Sequence, residues 1–445
     1  MEKSQEFDST EALEIIDSVV SGGAALGASS GEAALVAGLG LSVSVRMGEV
    51  ETLEHHRDKH LAITLYKGTN KGSASSSDLR APAIKDLLQA AWSIASHTSD
   101  DPYNGLVDAD LLATNIPDLD LYHPWSLQAE RAINLARQCE DAARGHDHLI
   151  TNSEGATVSC HSGAYCYANT HGFHGAWQST RHSVSCAVIA GASDKMQKGH
   201  WHTTARAHED LDLPESVGMV AAQRAVHRVG ARQLKTRSAP VVFEAPVAAG
   251  LLHHFVSAVS GPALYRKASF LLDKVGHPIF APHVTLREQP HLARGLGSAP
   301  FDREGVTTSS RDLVSNGVLN GYVLDGYSAR KLDLPPTGNA GGVHNLTADS
   351  SKADLSGLLA QMDTGLLVTD LMGFGVNIVT GDYSRGASGF WVEGGKPQYP
   401  VEEITIAGNL ADIFKGIVAI GNDVEMRGNI RTGSILVEAM TVAGG

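Results

Sequence analysis

A chain of 445 residues is long enough for two or three domains with sizeable cores, and 42% hydrophobic against 19% charged residues suits a globular protein. Its 35 basic and 49 acidic residues leave a formal charge of −14, which excludes a general nucleic-acid or anionic-membrane surface. No uncharged apolar run reaches membrane-spanning length, the polar start MEKSQEFDST is no secretory signal, and Cys139, Cys160, Cys166 and Cys186 form no C-x-x-C pair; the chain reads as cytoplasmic with reduced thiols.

In chain order, the first residues read as disordered. Residues 8–20 read as a short amphipathic helix capped by Asp8 or Ser9, with Leu13, Ile16, Val19 and Val20 on one face. The Gly, Ala and Ser-rich stretch 21–35 reads as a loop. Period-two alternation at 41–45, 49–53 and 61–66 predicts a β-meander, with His55, His56 and His60 at the hairpin between its last two strands. A helix is expected over 82–97, opened by Asp78 and ended at Asp100-Asp101-Pro102, where a loop to about residue 116 begins. The next helix spans 125–144, with Ala129, Ala132, Ile133, Ala136 and Ala143 inward and Gly145 as stop. Strand signals return over 156–207, and Pro214 starts a helix ended by Gly230.

The basic link Arg232 to Pro240 marks the main domain boundary, followed by a strand at 240–244, a helix at 247–260 and a long β region. The expected fold class is α+β. A partly disordered segment with a short helix (1–35) precedes an N-terminal mixed α/β sheet domain over 36–231 (central segment 125–231), and a mostly β domain with a few helices covers 240–445.

The densest glycine run lies in 371–409. Phe390 to Glu393 and Glu403 to Ala407 read as strands around a Gly394-Gly395-Lys396-Pro397 turn, and Asn409 as the cap of a helix carrying Leu410, Ile413, Phe414, Ile417 and Val418. Gly381, Gly386 and Gly389 then line either a sheet edge able to accept an extended peptide by main-chain pairing, or a set of tight turns. Asp382, Tyr383, Ser384 and Arg385 can hydrogen-bond a peptide or its carboxylate, or lock their own loop.

Histidine and cysteine gather between Cys160 and His208, and His200-Trp201-His202 places two imidazoles on one strand face, a workable metal pair. No four-ligand spacing accompanies it, so alternating surface histidines are expected. The zinc-protease helix needs two histidines and a glutamate, and the His-Glu pair His208-Glu209 is followed by no second histidine. No G-x-S-x-G elbow, P-loop or dinucleotide fingerprint occurs.

The segments GDYSRGASGFWVEGG (381–395), YPVEEITIAGNL (399–410), FDREGVTTSSRDLVSNGVL (301–319), YSARKL (327–332) and TGNAGGVHN (337–345) resemble the C-terminal signature of the TldD/PmbA family. NTHGF (169–173), STRHS (179–183) and YRKASFLLDKVG (265–276) are similar to its PmbA (TldE) branch. The active TldD branch carries H-E-x-x-x-H on its metal helix. The matching stretch Leu251 to Ala258 has His253 at the first histidine, His254 at the glutamate and Ala258 at the second histidine; the C-terminal cysteine ligand is also missing, since none follows Cys186. The resemblance therefore implies a degenerate metal helix (His253, His254, Ala258) with no metal or cofactor in this chain. It further implies zinc in a TldD-type metalloprotease partner, unfolded or precursor peptides as substrates, and substrate contacts at Asp382, Tyr383, Ser384, Arg385, Gly386 and Gly389. Two rivals stand beside this: a homodimeric hydrolase using the 160–208 histidines, and a regulatory binding protein of the gyrase-modulator type. No nucleic-acid or membrane partner is expected.

Overall fold

The computed structural model describes residues 9–444; the disordered start expected for residues 1–8, and Asp8 as a cap, lie outside them. The chain is α+β, as expected from the sequence. The first part runs α1 (Ser9–Ala25), β1 (Ser30–Arg46), β2 (Glu49–Lys67), β3 (Asn70–Ser76), α2 (Ala81–His97), α3 (Ala129–Arg144), β4 (Ile150–Asn169), β5 (His174–Ala190), β6 (Gln197–Ala205) and α4 (Pro214–His227). Its strands form one antiparallel sheet in the order β3-β2-β1-β4-β5-β6.

This sheet carries two separate cores. At one end Leu35, Leu61, Ile63 and Leu65 pack beneath α1 and α2; at the other Val43, Val158, Val184 and Val188 pack beneath α3 and α4. The Gly/Ala/Ser stretch 21–35 is therefore not a loop: it completes α1 and begins β1. A Cβ on Gly23 would lie 2.5 Å from a Leu65 methyl, so the small residues are there for close helix-on-sheet packing.

Residues 49–67 form a single strand, so His55, His56 and His60 lie mid-strand and exposed rather than at a hairpin. The turn is at Met47 and Gly48, both at positive φ, and their N–H groups donate to the fully buried carboxylate of Glu140 on α3, each at 2.8 Å. α3 starts at Ala129 rather than Trp125, with Ala132, Ala136 and Ala143 buried; the segment before it is extended.

The second part runs β7 (Arg237–Phe243), α5 (Ala245–Ala258), α6 (Gly261–Tyr265), β8 (Leu286–Glu288), β9 (Arg311–Ser315), β10 (Val318–Leu319), α7 (Gly326–Leu332), β11 (Leu346–Ala348), α8 (Leu355–Met362), β12 (Gly365–Met372), β13 (Val376–Asn377), β14 (Asp382–Glu393), β15 (Lys396–Asn409), α9 (Leu410–Lys415), β16 (Ile417–Ile420), β17 (Ile430–Arg431) and β18 (Ile435–Ala443). One sheet has the order β10-β9-β8-β11-β17. The other runs β12-β7-β18-β15-β14-β13, with β16 on β18, and β12 also pairs with β14, so β12, β7, β18, β15 and β14 close into a ring.

Closure overturns the glycine-lined edge. β14 is an interior strand, with β15 along its length on one side and β12, then β13, on the other. A closed ring leaves no edge there to accept a peptide main chain. At Gly389 a Cβ would sit 1.8 Å from the Leu367 carbonyl oxygen, so this glycine admits β12 and is buried by it. The expected helix after Asn409 exists, with the Asn409 side chain accepting from the Ala411 N–H, but it stops at Lys415. Ile417 and Val418 begin β16, because pairing with β18 takes over.

Candidate functional site

α5 follows the apolar strand β7 and places Pro246 in its first turn, where the missing N–H costs nothing. Ala248, Leu251, Leu252, Phe255 and Ala258 form its buried face, and Phe255 meets Phe280 edge-on at 5.1 Å. That packing turns His253 to solvent and leaves His254 half-buried against β14. Ala258 is 0% exposed, so a methyl fills the position one turn on from His254.

The His254 ring stands edge-on to Tyr383 with centroids 6.0 Å apart. Burial, then the neighbouring charges of His253 and Arg385, pushes the His254 pKa down to about 4, so its ring is neutral near pH 7. Burial pushes the Tyr383 phenol up to about 12, which keeps it a donor. His254 Nε2, Tyr383 Oη and Arg385 Nε are all buried with no hydrogen-bond partner among the described residues. Eight side-chain atoms are in that position, and these three share one junction between α5 and β14.

The other predicted residues of β14 behave differently. Asp382 is exposed and accepts from the Thr380 hydroxyl at 2.6 Å and from Asn409 Nδ2 at 3.4 Å, locking the turn before the strand. Ser384 is exposed, and its N–H donates to the Gly375 carbonyl at 2.7 Å. Gly386 is half-buried beside Met372, whereas Gly389 lies beneath β12 and has no face to offer a ligand. The structure thus gathers His253, His254, Tyr383 and Arg385, with Asp382 and Ser384 alongside.

The residues of α5 do not fit a catalytic metal. His253 and His254 have ring centroids 6.4 Å apart with His253 turned outward, and neither a carboxylate nor a second-turn histidine joins them. Among the described residues no group of three or more His, Cys, Asp or Glu side chains is placed to hold a metal. His200 and His202 do share a face of β6, stacked at 5.6 Å, but Arg224 and Arg427 flank the pair. Burial, then Arg427, pushes His202 down to about 4. Cys139, Cys166 and Cys186 are buried free thiols, and Cys160 is half-buried.

Sequence reasoning missed a polar hub elsewhere in the second part. The buried Glu288 carboxylate accepts from Arg311 Nε (2.8 Å), Asn339 Nδ2 (2.7 Å) and the His344 N–H (2.7 Å). Buried Asp302 accepts from the N–H groups of Glu304, Val306 and Ala340, each at 2.9 Å. Arg330 of α7 donates to the carbonyls of Tyr103, Gly105 and Leu106, clamping the loop after α2. The motifs FDREG, YSARKL and TGNAGGVHN are thereby explained as architecture. In NTHGF, His171 Nδ1 donates to the Val107 carbonyl at 2.9 Å; in STRHS, His182 Nε2 donates to the His123 carbonyl at 2.9 Å.

Family models described as PmbA/TldA metallopeptidase match the chain as domain 1 (residues 31–95), central domain (122–229) and C-terminal domain (236–444). A relative named Metalloprotease PmbA from Escherichia coli O157:H7 is 49% identical over 405 residues, covering 91% of this chain and 90% of its own. A crystal structure from Bacteroides thetaiotaomicron, titled as a modulator of DNA gyrase, superposes with a TM-score of 0.94 at 27% identity, covering 98% of this chain and 100% of that one. TldE from Thermococcus kodakarensis shares the fold, with a TM-score of 0.81 at 20% identity over 97% of this chain and 100% of that one. Among the described residues no helix is long and apolar enough to cross a membrane.

Proposed function

The chain belongs to the PmbA/TldD metallopeptidase family, and from that premise we propose that it is the TldE/PmbA-type subunit of a two-chain cytoplasmic peptidase. In this reading a TldD-type partner carries the zinc and supplies the hydrolytic chemistry, while this chain builds part of a chamber for unfolded or precursor peptides. One observation carries it. By the sequence resemblance α5 corresponds to the family's metal helix, with His254 at the position of the carboxylate base and the buried methyl of Ala258 at that of a ligand.

Substrate contacts are assigned to the side chains of Asp382, Ser384 and Arg385 and to the backbone at Gly386, with the buried Tyr383 packed against His254. Main-chain strand addition plays no part, because β14 is flanked on both sides. The domain division at the link 232–240 is part of the same proposal.

The test is metal content and peptide cleavage by the pure chain, alone and mixed with a TldD-type subunit. The expected result is no stoichiometric metal and no cleavage alone, with cleavage in the mixture. Stoichiometric metal together with cleavage by the chain alone would overturn the proposal.

A further inference from the structure

Strand alternation puts Tyr383 and Arg385, two residues apart on β14, on one face, and Asp382 and Ser384 on the other. α5 brings His254 to the Tyr383 side. The atoms these three bury without a partner among the described residues, His254 Nε2, Tyr383 Oη and Arg385 Nε, all have donor capacity. Donors buried together and unmet call for an acceptor. No carboxylate of the chain supplies it: the charges that act on His254 are those of His253 and Arg385, and Arg385 alone acts on Tyr383. Asp382, next in sequence, is on the opposite face and is engaged by Thr380 and Asn409. The junction is therefore cationic in a chain of 49 acidic and 35 basic residues. Tyr383 is 2% exposed, whereas His254 and Arg385 are half-buried, so the junction is reached past those two.

We propose that the junction of α5 and β14 is a carboxylate subsite that captures the free C-terminus of a peptide. The two oxygens of a carboxylate offer about four lone-pair sites, enough to accept from a guanidinium, a phenol and one imidazole N–H together. A neutral imidazole carries a single N–H, and an anion beside Nε2 selects the tautomer that places it there. End-on capture follows from the ring of strands. With β15 on one side and β12, then β13, on the other, β14 has no room for a peptide lying alongside it. A chain terminus needs only the half-buried rim. That the carboxylate belongs to a peptide rests on the peptidase reading; its capture needs neither zinc nor the partner.

The test is fluorescence anisotropy of the pure full chain with a short N-terminally labelled peptide of alanine, serine, leucine and lysine. The peptide is made once as the free acid and once as the C-terminal amide. The acid is expected to bind on the order of tenfold tighter, the size of a hydrogen bond to a charged group. The net charge of −14 favours the amide, so a preference for the acid reports a local site. Arg385→Gln is expected to abolish the preference, with thermal unfolding as the check that the variant is folded. Tyr383→Phe keeps the ring and serves where Arg385→Gln does not fold; it is expected to shrink the preference about threefold. Equal affinity for acid and amide, no binding of either, or a preference that survives both substitutions overturns the proposal. So does acetate that displaces the acid as well as unlabelled peptide does, or an amidated peptide with an internal glutamate that binds as tightly as the acid. A preference for the acid without cleavage by the mixed subunits sinks the peptidase reading alone and leaves the subsite standing.

Discussion

Two buried polar regions of the second part follow opposite rules. Around Glu288, Asp302 and Asn339 each carboxylate oxygen and amide is met by a donor or acceptor within about hydrogen-bond distance, through Arg311, His344 and the backbone at 304, 306 and 340. At the junction of α5 and β14, His254, Tyr383 and Arg385 each bury a polar atom that nothing among the described residues meets. A saturated network in a low-dielectric interior fixes one geometry and resists change; an unsatisfied one costs stability and is kept where it serves something other than folding. The difference teaches that the family-like motifs at 301–345 carry satisfied polar packing, while the site proposed here lies at α5 and the start of β14.

The largest expected break in this comparison is Glu288→Ala. It strands Arg311, Asn339 and the His344 N–H together, so chemical denaturation should show a loss of about 3–5 kcal/mol. Next is Glu304, at the rim of the hub, whose carboxyl burial pushes up to about 7. Its folded pKa lies above the unfolded one, so its contribution is present below the ordinary carboxylate range and is lost as pH rises through about 7. Glu304→Gln keeps an acceptor for the Gly326 N–H and cannot ionise. Its melting temperature relative to wild type should therefore rise between about pH 5 and about pH 8, by an equivalent of up to about 3 kcal/mol.

On the α5 side, Ala258→His restores a family ligand in name only. The position is fully buried, so overpacking should cost about 1–3 kcal/mol in thermal or chemical unfolding without conferring zinc binding on the pure chain. The smallest effect is expected for Tyr383→Phe, which removes a hydroxyl that has no partner among the described residues. Its stability should stay within about 1 kcal/mol of wild type or rise. Peptide cleavage by the mixed subunits should nevertheless fall, and unchanged cleavage would remove Tyr383 from the site. A Tyr383→Phe loss as large as that of Glu288→Ala would erase the contrast between the two regions.

Much of the fold was legible because it rests on local periodicity. Helical spacing and Pro/Gly punctuation located α2, α4 and α5 to within a few residues, and the two glycines at 394 and 395, both at positive φ, make the turn between β14 and β15. The expectation of a degenerate metal helix rests on the identities of His253, His254 and Ala258 alone. Other features were not local. The run of charge and histidine over 54–60 looks like a turn, and only pairing with β1 makes it strand. Small residues over 21–35 look like a loop until α1 must approach Leu65 and Leu88 closely.

What the sequence by itself determined is the chemistry of each position: which side chains can ionise, ligate or pack, and with what period they recur. What only the tertiary structure decided is which of them meet. β12 closes on β14 across intervening turns, converting an apparent glycine-lined edge into an interior strand, and the same closure sets Tyr383 and Arg385 against His254, which precedes Tyr383 by more than one hundred residues. The physical reason is that strand pairing and core burial are set by contacts distant in sequence, whose energy outweighs local preference and leaves no mark on the residues nearby.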